Sequence, residues 1–456
     1  MKKHIYSSTF LVSLFALFLV IPVGQSAFGQ DCTSLADLRI EDTNLLSATV
    51  VPASGDLPEY CRVLGYVCPA INFEIRLPTA DWNGKFFMAG CGGYCGKLES
   101  NSSRVNAMNI GLKRNYAVST TDAGHWGETV FDGRWGLHNR IAEIDYGYRA
   151  VHETARVTKT IIASYYESSA EYSYFMACSN GGRQGNMEAW RYPEDFDGII
   201  SGCPALNLTG LSVFSTWLAT KNRGPNGKDL ITPVEIELLR KAVYEACDGI
   251  DGIEDGLISD PGRCTFNPGS LACEHLDQTD CLSPEQVEVL RAFYQGPENS
   301  SGQRLYPGGV PFGSEPYWEF WITGNTEQIN DGIATAISTN GLRYLFFDED
   351  PGPTYSIEDF DFDRDPPRLE YMANIYNADN PNLEAFRKHG GKILMWHGWA
   401  DATVPPFGTI AYYNTVLKEV GNQKALNDFL RLYMIPGMDP AVFWMDQASW
   451  TTALIR

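Results

Sequence analysis

After residue 30, short runs of apolar, β-branched and aromatic residues alternate with stretches whose apolar residues recur every three or four positions. That alternation predicts a parallel sheet covered by helices. Phe86-Phe87-Met88-Ala89 predicts a buried strand running into a glycine loop, Gly90-Cys91-Gly92-Gly93. Tyr116 to Thr120 predicts a second strand, ending at Asp122-Ala123-Gly124-His125. Val151, Ala155, Thr158 and Ile162 share one helical face, so a long amphipathic helix is expected from Asp145 to Tyr166. A strand over Glu171 to Met176, a helix from near Gly182 and a short strand at Ile199-Ile200 follow. From about Leu206 to about Asn380 the rhythm lapses into Pro, Gly, Asp and Trp in irregular order, with Cys247, Cys264, Cys273 and Cys281 close together. It returns with Lys392 to Trp396, a helix around Ile410 to Leu417 and a strand over Phe429 to Ile435. The expected organisation is an α/β core, 30–205 and 381–456, interrupted by a lid domain, 206–380, held by local crosslinks.

Composition narrows this picture. With 456 residues, 44% of them hydrophobic, the chain can bury one large core plus an insertion. Its 25 Pro and 43 Gly argue against a coiled coil, a repeat array or a disordered chain. The net charge of −21 excludes a nucleic-acid footprint or an anionic-membrane partner, and its plain role is solubility. Residues 1–29 read as an export signal: Lys2 and Lys3, an apolar run from Phe10 to Val23, then Ala27-Phe28-Gly29 with small residues where a signal peptidase inspects. The run falls short of the roughly 20 residues of a spanning helix, and Pro22 interrupts it. The expected mature protein starts at Gln30, is soluble, and resides in the periplasm or the medium. Eleven cysteines behind an export signal imply several disulfides, and the odd count leaves at least one thiol over.

The candidate chemistry centres on Ala177-Cys178-Ser179-Asn180-Gly181-Gly182, between a predicted strand and a predicted helix. A sharp strand-to-helix turn needs small residues two before and two after its centre, and Ala177 and Gly181 qualify. Such a turn raises the Ser179 hydroxyl above the sheet and aims the Asn180 N–H at a developing oxyanion, beside a helix N-terminus. Gly92 and Gly93 are candidates for the second oxyanion donor; the alternative is a plain glycine turn. In an α/β-hydrolase the order is Ser, then Asp or Glu, then His. Asp401, in Trp396-His397-Gly398-Trp399-Ala400-Asp401, falls where the orienting carboxylate belongs, although a helix N-cap is an alternative role. A general base is expected downstream of Met438, yet none of the seven histidines follows His397. His397 itself reads as a brace for the Asp401 loop. Without a base, a serine loses several powers of ten in rate.

Cys178-Ser179-Asn180-Gly181-Gly182-Arg183-Gln184-Gly185, continuing through Glu188-Ala189, Arg191-Tyr192-Pro193 and Asp195-Phe196-Asp197-Gly198-Ile199, resembles the nucleophile block of the tannase and feruloyl esterase family. Gly147 to His152, Thr121 to His125, and Phe362-Asp363-Arg364-Asp365 are similar to further signatures of it. The same blocks resemble bacterial hydrolases of aromatic diacid monoesters. The resemblance places the base in a Pro-Gly-Met-x-His-Cys segment whose Cys pairs with the Cys beside the nucleophile. Here Pro436-Gly437-Met438 is present, but Pro440 and Ala441 stand where His and Cys would be, which leaves Cys178 unpaired. Either a local lesion has scrambled Pro440 to about Met445, or the chain is an inactive relative that keeps the pocket for binding. Resequencing the locus separates the two, since an intact reading of Pro440-Ala441 removes the lesion.

The run from Cys247 to Leu257 gathers carboxylates in a glycine-rich turn, suited to a hard cation or to plain solvation, without EF-hand spacing. The resemblance implies a structural Ca²⁺ on Asp248, Asp251 and Asp255 with the carbonyls of Ile253 and Leu257. It also implies disulfides Cys247–Cys264 and Cys273–Cys281, and further Cys32–Cys68 and Cys61–Cys95, leaving Cys91 and Cys203 as buried thiols. Tyr317-Trp318 and Phe320-Trp321 are available to clamp an aromatic acyl group, although filling a core is the more frequent use of such residues. The expected activity is hydrolysis of a gallate, ferulate or related phenolic ester through an acyl-enzyme on Ser179. The rival readings are a catalytically dead binder of such esters and, remotely, a calcium-dependent adhesion module.

Overall fold

The computed structural model describes residues 31–98, 103–275, 278, 280–324 and 332–439, together with Met1. The expected export segment beyond Met1 and the Pro440-Ala441 pair therefore lie outside the described residues.

Nine strands form one sheet: β1 (Thr43–Val51), β2 (Tyr60–Val67), β3 (Ile71–Pro78), β4 (Lys85–Ala89), β5 (Ala117–Thr121), β6 (Tyr172–Cys178), β7 (Gly198–Gly202), β8 (Lys392–Gly398) and β9 (Leu430–Ile435). Their order is β1-β2-β3-β5-β4-β6-β7-β8-β9. The first three and the β3–β5 pair are antiparallel, and every pair from β5 to β9 is parallel. This is the expected α/β sheet with an antiparallel extension that the βα rhythm did not reveal. Strand bounds fall within two residues of expectation at most ends.

Side chains alternate across the parallel strands because the pleat sends neighbours to opposite faces. Phe86, Met88 and Phe175 join the main core, whereas Phe87, Ala89 and Met176 join a second cluster under the helix Ser103–Leu112. A cavity of about 570 Å³ lies on that second face between Phe87, Met176, Ile200 and Leu394, and Ser179 does not line it. The expected 145–166 helix begins differently: Asp145–Arg149 is a π turn and the α-helix proper runs Ala150–Tyr166. Arg149 reaches back to Asp145 at 2.7 Å across that widened turn.

Between β7 and β8 the described residues hold helices and turns but no named strand. Disulfides Cys247–Cys264 and Cys273–Cys281 close two local loops there, as expected. Two other pairings are corrected. Cys32 bonds Cys61 rather than Cys68, because the turn Cys32–Asp37 packs against β1 and β2 and brings Cys32 to the second residue of β2. Cys95 bonds Cys91 rather than Cys61: positive φ at Gly93 (+54°) and Cys95 (+62°) doubles the chain back, so Cys91 is not a free thiol. Cys203 and Cys178 are free and buried, as expected, and Cys68 is free as well.

Two carboxyls give the fold a pH dependence of known sign. Burial pushes Glu143 up to about 8, against the pull of Arg140, and burial pushes Glu315 up to about 7. The folded state holds these protons where the unfolded chain, with an ordinary value of 4.5, has released them. Their stabilisation is therefore complete below about pH 4.5 and is lost as pH rises through 7 to 8, on the order of a few kcal/mol. Thermal melts should show Tm falling from pH 5 to pH 8, and Glu143→Gln with Glu315→Gln should flatten that slope.

Candidate active site

The parallel register brings the site together. Cys178 at the end of β6 lies opposite Gly202 of β7, which lies opposite Trp396 of β8. Ser179 and the Asp401 loop thus leave the same carboxyl edge of the sheet, where such folds bind ligands.

Ser179 sits between β6 and the helix Asn180–Arg191 with φ +61° and ψ −125°, a strained conformation for a residue with a side chain. The small-residue requirement is met on sterics: a Cβ on Gly181 would lie 2.2 Å from the Ala177 Cβ. Ser179 is half-buried and lines a cavity of about 50 Å³ with Gly93, Tyr94, Asn180, Phe346 and Val404 among its walls. As the first helical residue, Asn180 has an N–H with no acceptor inside the helix. Gly93 lines the same cavity, while Gly92, buried one residue earlier, does not. A Cβ on Gly93 would meet the Val130 carbonyl at 2.3 Å, so the loop's course requires glycine there.

The side chains that follow Ser179 do more than a strand and a turn require. The Asn180 amide donates to the Cys91 carbonyl (3.1 Å) and accepts from the Tyr146 hydroxyl (2.9 Å) and Arg183 Nε (2.7 Å). Gln184 Oε1 accepts the Cys91 N–H at 3.0 Å. Arg183 is fully buried, and its guanidinium donates to the carbonyls of Gly147, Tyr376 and Tyr146 at 2.8–3.1 Å while lying over the Tyr146 ring. These side chains rivet the helix Asn180–Arg191 to the glycine loop. His125, of the Thr121–His125 signature, bonds the Tyr94 carbonyl at 2.6 Å and stacks on Trp135, bracing that loop from the other side. Tyr94 in turn donates to the Ile337 carbonyl, beyond β7 in the chain.

Asp401 is fully buried in the loop after β8, where its Oδ1 accepts the N–H groups of Thr403 (3.0 Å) and Val404 (2.8 Å). It is not a helix cap, since the next helix starts at Pro406 with Pro405 in the cap position. His397 braces this loop: Nε2 faces the Val404 carbonyl (2.7 Å) and Asp401 Oδ2 (3.2 Å), and Nδ1 faces the Thr409 hydroxyl (2.8 Å). Both acceptors at Nε2 are oxygens, which fixes its proton there. Among the described residues no histidine lines the Ser179 cavity. Trp318 and Trp321 do not line it either; Trp318 is fully buried against Phe293 and Tyr294, and Trp321 bonds Asp439. Phe346 is the aromatic side chain that reaches Ser179's cavity from beyond β7.

The acidic loop begins with a short turn, Asp248–Asp251, and its three aspartates hold backbone N–H groups: Asp248 that of Gly256, Asp251 that of Ile253, Asp255 that of Leu257. Only oxygen donors stand there, the chemistry of a hard cation. The tight groups of metal-type donors among the described residues lie elsewhere, at Cys203, His397 and Asp401 and at His152, Glu188 and Asp195. In the first, Nε2 of His397 is spent on Val404; in the second, Asp195 takes the His152 ring at 2.6 Å.

The model of tannase and feruloyl esterase matches residues 57–449. An uncharacterised esterase of Xanthomonas campestris pv. campestris is 31% identical over 440 residues, covering 89% of this chain and 75% of that one. The mono(2-hydroxyethyl) terephthalate hydrolase of Piscinibacter sakaiensis is 29% identical, over 86% of this chain and 75% of its own. The crystal structure of feruloyl esterase B from Aspergillus oryzae superposes with a TM-score of 0.78 at 25% identity, over 90% of this chain and 82% of that chain. With a hydroxyl raised on a strained turn after β6, a buried carboxylate in the loop after β8 two strands away, and a match across most of its length, the chain belongs to the tannase and feruloyl esterase family of carboxylic ester hydrolases.

Proposed function

We propose that this protein is an exported serine esterase that cleaves aromatic esters, of the gallate or ferulate kind, through an acyl-enzyme on Ser179. The observation that carries the reading is Ser179 at φ +61°, facing a cavity shared with Asn180 and Gly93. Ser179 Oγ attacks the ester carbonyl, the carbonyl oxygen takes the charge beside the N–H groups of Asn180 and Gly92 or Gly93, and the alcohol departs with a proton. Water then releases the acid. Residues 206–380 act as a lid, with Phe346 supplying an aromatic wall. Four disulfides favour an oxidising compartment, and among the described residues no helix is long and apolar enough to cross a membrane. Methyl ferulate and methyl gallate test the reading: product that disappears in Ser179→Ala supports it.

A second reading is favoured by the base: no described histidine lines the cavity, and Pro440 stands at the family's His position. A relative impaired in this way binds phenolic esters without turning them over, and tight binding with no product would establish it.

The acidic loop is proposed to hold a structural Ca²⁺ through Asp248, Asp251 and Asp255 with the carbonyls of Ile253 and Leu257. Its all-oxygen donors and flexible glycines, Gly252 and Gly256 at positive φ, support this. Binding the folded state alone should raise Tm by several degrees, and a chelator should reverse the rise. Asp251→Asn should remove the response; a Tm indifferent to both calcium and chelator would end the proposal.

A further inference from the structure

Four disulfides account for eight of the eleven cysteines and leave Cys68, Cys178 and Cys203 as thiols. An odd count forces one to remain; the surplus two are neighbours. Cys178 ends β6 and Cys203 directly follows β7, whose Gly202 stands opposite Cys178 in the parallel register. The backbone is fixed on both sides, with the Ser179 N–H on the Gly202 carbonyl (2.9 Å) and the Cys203 N–H on the Trp396 carbonyl (2.8 Å). Both thiols share one apolar pocket with Trp396, packed by Ile200, Leu394, Ile435 and Met438, close enough that each acts on the other. Ester hydrolysis uses neither sulfur.

We propose that Cys178 and Cys203 form a dithiol modification site, which a small disulfide such as oxidised glutathione converts into an intramolecular bond tying the nucleophile turn to the end of β7. In the first step the Cys178 thiolate attacks one glutathione sulfur, forming a mixed disulfide and expelling one glutathione thiolate. Cys203 then gives up its proton and attacks the Cys178 sulfur, expelling the second glutathione. Two protein thiols are oxidised, one glutathione disulfide is reduced to two thiols, and no other reactant is needed. Cys203 is fully buried whereas Cys178 keeps 7% of its surface exposed, which makes Cys178 the first that a disulfide reaches and Cys203 the resolving partner; burial, with the Cys178 contact and the Asp401 carboxylate, also pushes the Cys203 thiol well above its ordinary value. The inference does not depend on Ser179 being the nucleophile.

The test uses the full chain incubated with oxidised glutathione, quenched in acid, alkylated after unfolding, and mapped by mass spectrometry without reduction. The expected result is a peptide pair joined through Cys178 and Cys203, with alkylation lost at both and restored by dithiothreitol. Protein isolated with that bond already formed supports the site equally. Cys203→Ala should halt the reaction at a stable glutathione adduct on Cys178. A stable adduct on Cys178 in the unaltered chain, pairing of either residue with Cys68, or full alkylation of both after treatment would overturn the proposal. Because the mapping is done on the unaltered chain, it stands even where a cysteine variant folds poorly.

Discussion

Pro440→His combined with Ala441→Cys should raise kcat/KM for methyl ferulate by roughly 10³-fold or more, the scale on which a serine depends on its base. The proposed partners of that base are already in place. Ser179 is held on its strained turn, and Asp401 is pinned through Oδ1 by the N–H groups of Thr403 and Val404, while Oδ2, 3.2 Å from His397 Nε2, has a further lone pair with which to orient an incoming imidazole. His397 cannot take the role, since both ring nitrogens are engaged within the Asp401 loop and the ring is fully buried. Histidine alone at 440 should recover part of the gain; the cysteine at 441 adds a tether to Cys178 that limits the ring's freedom. Steady-state rates on the single and double variants, each with and without Ser179→Ala, check this. A double variant no faster than the unaltered chain would show that the base is not what the site lacks.

The second large effect is on stability. Arg183→Met should cost about 3–5 kcal/mol and lower Tm by roughly 5–15 °C, because it takes the guanidinium donors from buried carbonyls at Gly147, Tyr146 and Tyr376 and one of two donors from the Asn180 amide oxygen. Lysine keeps the charge but not the planar fork that spans those acceptors, so Arg183→Lys should recover less than half of the loss. The same substitution loosens the helix that carries Ser179 against the glycine loop, and activity should fall further than stability alone explains. Thermal unfolding followed by circular dichroism reads the first effect directly.

The nucleophile turn was legible because its constraint is steric and local: two small residues flank the serine, and the collision a Cβ on Gly181 would have with Ala177 is the physical reason. The parallel strands were legible for a similar reason, since buried apolar runs bounded by glycines leave few other readings. Cysteine pairing was not, because it depends on which chain segments meet in space. Cys91–Cys95 needed the reversal made by Gly93 and Cys95, and Cys32–Cys61 needed the antiparallel β1–β2 pair. Runs of β-branched and aromatic residues at 43–51, 60–67 and 71–78 carried a signal for those three strands, with turn residues between them. The roles of Asn180, Arg183 and Gln184 stayed hidden in the sequence, since a polar residue on a helix gives no hint that it will be buried against a loop some ninety residues earlier.

On the proposed function, the Ser179 hydroxyl is the atom that takes the acyl group. Incubation with p-nitrophenyl ferulate, an acid quench and peptide mass mapping measure this directly, and slow deacylation in the absence of a base favours accumulation of the intermediate. A single feruloyl adduct is expected on the peptide spanning β6 and the following helix, located at Ser179 and missing from Ser179→Ala. An adduct on another residue, or p-nitrophenol release undiminished in Ser179→Ala, would contradict it.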